Sequence, residues 1–158
     1  MPLAVGFHPY FRFPGIPRDR WVLRIPARKT VMTDNRQIPT GVFKAMDLPN
    51  PLPLGERTMD HGFTDLERDS AGHALFFIQA GEQRIEVILG AKYLAAGVWG
   101  FASYPGQTDN FICVEPMTSI ANGMNLNHAG KYSELQTVPP GGKWTESFWI
   151  RRPLFSGH

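Results

Sequence analysis

The chain has 158 residues, of which 42% are hydrophobic, and a formal net charge of +2. This length and composition fit one globular domain and argue against general disorder. The sequence has no basic block and no apolar run of membrane-spanning length, so we expect neither nucleic-acid binding nor membrane insertion. Cys113 is the only cysteine, which excludes an intrachain disulfide and predicts an inert buried thiol in a cytoplasmic protein.

The segment Gly6-Phe7-His8-Pro9-Tyr10-Phe11 places a histidine among aromatic residues. Histidine titrates near neutral pH and can donate a proton to a ligand, and Pro9 restricts the backbone beside it. A histidine with an ordinary structural hydrogen bond is the competing interpretation, which the local sequence favours. This candidate catalytic segment lies close to the N-terminus, where a complete enzyme domain rarely places one. We therefore expect the chain to be the later part of a larger domain.

Short β-rich runs separated by turn residues follow, a pattern typical of a sandwich or barrel. The predicted strands are residues 21–28, 74–79, 84–90, 97–104, 111–115, 132–138 and 144–151. Gly81-Glu82-Gln83 predicts a hairpin loop, and residues 138–142 predict a rigid turn. Residues 33–59 are rich in proline and show no sustained period, so we expect a long surface loop there. The sequence predicts an all-β fold.

The segment Met59-Asp60-His61-Gly62-Phe63-Thr64-Asp65-Leu66 contains a second candidate group. An ionised aspartate offers several acceptor sites for the vicinal hydroxyls of a sugar. A cap or turn former is the commoner use of such an aspartate, and His61 either joins it or is simply exposed.

The apolar run Phe111-Ile112-Cys113-Val114 leads directly into Glu115 and then Pro116. Partial burial at the end of this strand would raise the pKa of Glu115 toward a value suited to a general base. An exposed strand-end glutamate is an equally weighted alternative.

Other chemistries lack their motifs, since the sequence contains no Gly-x-Ser-x-Gly elbow, Walker loop or His-Glu-x-x-His pair. Histidines stand at positions 8, 61, 73, 128 and 158 without metal-ligand spacing, so we expect no metal or cofactor. Trp99 and Phe101 can stack on a sugar face, although core packing is the stronger expectation. Residues 122–125 are interpreted as a tight turn.

Taken in order, these segments resemble the aldose 1-epimerase (galactose mutarotase) family. The resemblance rests on Gly-Phe-His-Pro-Tyr-Phe at 6–11, Met-Asp-His-Gly-Phe-Thr-Asp-Leu at 59–66, Phe-Ile-Cys-Val-Glu-Pro-Met-Thr at 111–118, and the stretches 122–125 and 137–142. It implies an antiparallel β-supersandwich, truncated, with residues 1–158 forming a single domain from its C-terminal part. The family's N-terminal half, with a further active-site histidine and an arginine, has no counterpart here. Exposed sheet edges would then need a homodimer or a complementing chain.

The resemblance also implies a cofactor-free interconversion of the α and β anomers of a hexose. Glu115 would take the proton from the C1 hydroxyl and His8 would protonate the ring oxygen, from opposite sides of the hemiacetal. Asp60 would hold ring hydroxyls, with an aromatic wall from Tyr10 or Phe63. A non-catalytic carbohydrate-binding remnant and a fragment that requires a partner chain are the alternatives.

The sequence leaves the sugar open. A cluster of arginines has two interpretations. The arginines bind a phosphate or sulfonate on the sugar, or they are solvent-exposed side chains of a strand and its approach, and the second interpretation has more weight. These arginines are Arg12, Arg18, Arg20 and Arg24.

Overall fold

Two antiparallel sheets contain most of the regular structure in the computed structural model, which describes residues 1–101 and 110–153. Runs with alternating apolar residues become strands because alternate side chains of a strand point to opposite faces. Within the described residues the strands are β1 (Tyr10–Phe11), β2 (Trp21–Arg24), β3 (Ala27–Thr33), β4 (Pro39–Ala45), β5 (Leu52–Pro53), β6 (Met59–Leu66), β7 (Ala74–Ala80), β8 (Gln83–Leu89), β9 (Ala95–Gly100), β10 (Ile112–Met117) and β11 (Phe148–Arg151). A 3₁₀ turn, Arg18–Arg20, precedes β2, and the helix α1 spans Gly123–His128. The all-β prediction is confirmed.

The strands of each sheet are not in chain order. Over the described part of the chain, the larger sheet has the order β1-β10-β9-β6-β3-β4 and the smaller one β11-β8-β7-β2-β5. The ladders of both sheets are antiparallel. The strands β10, β9 and β6 therefore lie side by side in the middle of the larger sheet, although β6 is distant from β10 in sequence.

The main core lies between the two sheets. Phe63, Val98 and Val114 of the larger sheet share one buried cluster with Phe76 and Leu89 of the smaller sheet. Burial of each such side chain contributes about 1.5–3 kcal/mol, so this interface supplies most of the hydrophobic stabilisation. A smaller cluster, which includes Val31, Ala95, Ile120, Leu126 and Tyr132, covers part of the opposite face of the larger sheet.

Several predicted elements are confirmed. Runs 74–79 and 84–90 are β7 and β8, and their ends Ala80 and Gln83 pair across the predicted hairpin. Run 111–115 is β10, which continues to Met117. The expected turn near 138–142 closes with a hydrogen bond from the Gly142 N–H to the Pro139 carbonyl, 2.9 Å long.

Other predicted bounds are wrong or incomplete. Run 21–28 is divided between β2 and β3, which belong to different sheets, because Pro26 has no N–H for a ladder. Run 144–151 is a strand only from Phe148. Run 97–104 overlaps β9, which ends at Gly100, and its residues 102–104 lie outside the described residues.

Three further predictions are wrong, and no strand is predicted where β6 lies. The expected surface loop at 33–59 contains β4 and β5, and the expected tight turn at 122–125 opens α1. Run 132–138 is not a strand, apart from the isolated bridge between Thr137 and Pro2. Its polar side chains bind backbone instead, since the Gln136 amide donates to the carbonyls of Lys92 and Thr118. The described residues include no helix long and apolar enough to cross a membrane.

Candidate active site

Glu115 lies on the face of the larger sheet that is turned away from the main core. Alternation along β10 buries Ile112 and Val114 completely and directs Glu115 to the opposite side. The Glu115 side chain is 19% exposed. Burial raises the pKa of its carboxyl, the His8 cation lowers that pKa, and the negative charge of Asp60 raises it. The direction of the net shift is upward, as the sequence predicts.

Strand register brings His8 to Glu115. The N-terminal segment runs antiparallel to β10, with Gly6 opposite Met117 and Tyr10 opposite Cys113. His8 is midway between these two pairs and is therefore opposite Glu115. His8 Nε2 lies 3.1 Å from Glu115 Oε1, and the His8 side chain is 46% exposed. The two predicted catalytic residues are thus in direct contact.

Two glycines lie next to Glu115 in the row of paired residues that crosses the larger sheet. Glu115 is paired with Gly97, Gly97 with Gly62, and Gly62 with Val31. Because two neighbouring positions in this row have no side chain, the sheet surface is recessed there. The recess is a cavity of about 130 Å³ beside the Glu115 carboxyl.

Aromatic rings border the carboxyl and the imidazole. The His8 ring stacks on Tyr10 at a centroid distance of 4.8 Å, and the edge of Trp99 approaches His8 at 5.8 Å. Tyr10 is 61% exposed. Trp99 is partly exposed and lines the cavity. The sequence assigns Trp99 to the core with more weight, and its position in the fold is at the cavity instead.

Asp60 faces Trp99 across the ladder between β6 and β9 and lines the same cavity. The residue is exposed, and its charge acts on the Glu115 carboxyl. The neighbouring His61 is also exposed, and its Nδ1 accepts a hydrogen bond of 3.1 Å from the Asp60 N–H. The two segments that the sequence identifies separately therefore meet at one surface.

Phe63 does not join this group. Although it borders the cavity, the residue is completely buried and packs in the main core. A ring without exposed surface does not provide a stacking wall for a sugar, so we leave Phe63 out of the candidate site. Its neighbour in the ladder, Ala96, is buried in the same core.

Arg18 and Cys113, which the sequence analysis also considers, are both buried. Arg18 is 4% exposed and donates hydrogen bonds to the carbonyls of Gly55, Arg57 and Phe111. Cys113 is buried beneath the site, and burial, with the nearby Glu115 charge, raises its thiol pKa to about 12. The predicted burial of this thiol is confirmed, and its inertness stays a prediction. The described residues contain no cluster of three or more histidine, cysteine, aspartate or glutamate residues suited to hold a metal ion.

Comparison with known proteins relates this chain to a family. The family model for aldose 1-epimerase matches residues 1–151. A galactose mutarotase-like protein from Clostridium acetobutylicum has a TM-score of 0.78 at 22% identity, over 97% of this chain and 48% of that one. A protein from Synechocystis sp. PCC 6803 is 27% identical with a TM-score of 0.58, over 95% of this chain and 44% of that one. A GalM/aldose epimerase homologue from C. elegans is 12% identical with a TM-score of 0.56, over 96% and 50% respectively. The fold is galactose mutarotase-like, and the chain spans about half the length of these solved structures.

Proposed function

The chain belongs to the aldose 1-epimerase family, and from this premise we propose that it interconverts the α and β anomers of a hexose. One observation carries the proposal. A histidine and a partly buried glutamate are in contact at 3.1 Å, beside a cavity on the face of the larger sheet that is turned away from the main core. Such a pair can move two protons in opposite directions near neutral pH.

The reaction needs a base at the C1 hydroxyl and an acid at the ring oxygen. Glu115 is the base, because its raised pKa makes it a stronger proton acceptor than an ordinary carboxylate. His8 is the acid that protonates the ring oxygen as the C1–O5 bond breaks. Rotation about C1–C2 and closure with reversed transfers give either anomer.

The relative position of the two groups differs from the sequence expectation. That expectation has them on opposite sides of the hemiacetal, whereas their side chains are adjacent. Adjacent groups meet the chemical demand, because both reacting oxygens are bonded to the same carbon, C1. His8 lies on a partly exposed segment and can shift from Oε1 to the ring oxygen when a sugar binds.

Substrate contacts are assigned to the remaining polar and aromatic groups. Asp60 accepts hydrogen bonds from ring hydroxyls, and Tyr10 and Trp99 pack against the apolar face of the sugar. These rings are in contact with His8, so a sugar stacked on them lies within reach of the acid. No cofactor enters this scheme.

The test is the rate of α-to-β interconversion of glucose and galactose, measured by polarimetry or NMR exchange. Glu115→Gln keeps the shape of the side chain but removes the proton acceptor, so we expect the acceleration to fall by about 10²–10⁴-fold. Glu82→Gln, in the exposed hairpin turn, is the matched control and should retain the rate. A folded protein whose acceleration is the same with and without Glu115 would contradict the assignment.

A carbohydrate-binding protein without catalytic activity is the second candidate. It is favoured by the exposure of Asp60 and Tyr10, which can hold a sugar by hydrogen bonding and stacking without any proton transfer. This candidate predicts saturable hexose binding that weakens in Asp60→Asn, together with anomerisation no faster than in buffer. The homodimer or complementing chain expected from the sequence stays a prediction, and light scattering of the purified protein tests it.

A further inference from the structure

Gly97 is the cross-strand partner of Glu115, and its lack of a side chain has a direct geometric consequence. A Cβ built on Gly97 would lie 2.6 Å from Glu115 Oε2 and 3.0 Å from Glu115 Cδ. The first distance is shorter than real Cβ contacts, and the second is at the tight end of them. The carboxylate therefore occupies the space that a side chain at position 97 would take.

Backbone conformation does not explain this glycine. Gly97 lies within β9 and is not among the described glycines with positive φ. Glycine inside a strand weakens the strand, and it commonly marks a place where another group approaches the backbone closely. At position 97 that group is the Glu115 carboxylate.

We propose that Gly97 is a positioning residue for Glu115, an inference that rests on the proposed function. Without a Cβ at position 97, the carboxylate lies flat across β9, with Oε1 at His8 Nε2 and Oε2 above Gly97 beside the cavity. A larger residue would lift the carboxylate away from β9 and change its distance to His8. Gly97 thus sets the direction in which the base presents its oxygens to the C1 hydroxyl.

The conflict introduced by a methyl group would be local. The atoms that it meets at under 3.1 Å belong to the end of a flexible side chain, which can move without a backbone shift. The fold should therefore survive Gly97→Ala while the carboxylate is displaced. Besides Glu115, the titratable groups around this point are His8, Asp60, His61 at the cavity and the buried Cys113 thiol.

The experiment compares Gly97→Ala with the natural protein in three measurements: thermal unfolding, anomerisation kinetics, and NMR titration of the Glu115 carboxyl and the His8 ring. We expect a cooperative unfolding transition and a fall in kcat of about tenfold to 10²-fold, with a smaller change in KM. We also expect an altered Glu115 titration. A role limited to strand stability would not move this titration.

Gly62→Ala is the matched control, because Gly62 is the next glycine in the same row. Its added methyl would meet Val31 at 3.3 Å and not Glu115. This variant should leave the titration of Glu115 unchanged, even if it alters stability. The second comparison introduces Gly97→Ala together with Glu115→Asp. The shorter side chain draws the carboxylate back from the methyl and leaves only the longer contact with Cβ at 3.3 Å. In that background the added methyl should have little further effect on kcat.

Each outcome decides the question. A folded Gly97→Ala protein with an unchanged Glu115 titration and kcat would overturn the proposal. If Gly97→Ala prevents folding, restoration of folding by Glu115→Asp supports the proposed contact, and failure to restore it overturns the proposal. If the natural protein does not accelerate anomerisation, the proposed function fails, whereas the titrations still establish whether Gly97 positions Glu115.

Discussion

The charges around Glu115 act on its pKa in opposite directions, which allows the site to be tested one residue at a time. The His8 cation lowers this pKa and the Asp60 carboxylate raises it, against a background of burial that raises it. We therefore expect His8→Asn to move the Glu115 pKa upward and Asp60→Asn to move it downward. NMR titration of the Glu115 carboxyl carbon measures both shifts.

The downward shift in Asp60→Asn should also appear in the rate. Because Glu115 is the proposed base, kcat/KM falls as pH drops through its pKa. The acidic limb should therefore lie at lower pH in Asp60→Asn, which keeps both proposed catalytic groups, than in the natural protein. His128→Asn, at the exposed end of α1, is the control and should leave the limb in place. Shifts of equal sign in His8→Asn and Asp60→Asn would show that charge does not govern this carboxyl.

Burial of Glu115 also predicts how stability depends on pH. Its folded-state pKa is raised above the ordinary carboxyl value, which the unfolded chain retains. The ionised group therefore opposes folding, and this cost begins as pH rises through the ordinary pKa and is complete above the raised one. Glu115→Gln should match the natural protein in acid and exceed its free energy of unfolding at neutral pH. Urea unfolding at a series of pH values measures the difference, and a variant less stable at neutral pH would contradict the prediction.

At the scale of elements, the sequence predicts strands well where one face is buried without interruption. Runs 74–79 and 84–90 are correct because apolar residues alternate there and a two-residue turn joins them. The strand β6 is missed because its pattern is broken. Asp60 and His61 are both exposed, while Phe63 and Thr64, beyond Gly62, are both buried. A central strand that carries polar groups toward a cavity loses the regular alternation by which strands are recognised.

The candidate site, like the strands, is predicted only where the local sequence carries a signal. Local motifs identify His8, Asp60 and Glu115, but their contacts depend on register between strands that are distant in the chain. The role of Gly97 depends on its pairing with Glu115, and that of Trp99 depends on the sheet face it occupies. Neither the pairing of Gly97 nor the sheet face of Trp99 follows from local sequence. The sequence therefore gives no signal for Gly97 and assigns Trp99 to the core.

The 3₁₀ turn before β2 provides a prediction at this scale. Buried Arg18 of this turn binds three carbonyls, including that of Phe111 just before β10, and burial lowers the pKa of Arg18. Arg18→Met keeps the length but leaves these carbonyls without their donor, so we expect a loss of about 2–4 kcal/mol in unfolding free energy. Urea unfolding measures this loss, and Arg20→Met, at an exposed position, should change stability little.

The alternative role of Arg18, as a ligand for a sugar phosphate or sulfonate, has a different signature. It would weaken binding of a hexose phosphate in Arg18→Met while the unfolding free energy stayed near that of the natural protein. The guanidinium has little exposed surface, since the whole residue is 4% exposed. We therefore expect the effect on stability and not the selective effect on binding.

At the scale of the molecule, the two faces of the larger sheet have separate tasks. One face packs on the smaller sheet and contains Phe63, Val98 and Val114. The other face contains Glu115, Gly97 and the cavity. Substitutions on the first face should mainly change stability, and substitutions on the second should mainly change chemistry, because the sheet backbone separates the two sets of side chains.

Phe63 and Tyr10 test this separation directly, since the sequence places both in the sugar site. Phe63 is completely buried in the main core, whereas Tyr10 is 61% exposed beside His8. Phe63→Leu should lower the unfolding free energy by about 1–2 kcal/mol, with little change in hexose KM. Tyr10→Ala should do the reverse, with stability nearly unchanged and hexose KM raised about fivefold by loss of stacking. Thermal unfolding and initial-rate kinetics on both variants measure the four quantities. A raised KM in Phe63→Leu at unchanged stability would mean that the core face takes part in sugar binding, and the assignment of separate tasks to the two faces would then be wrong.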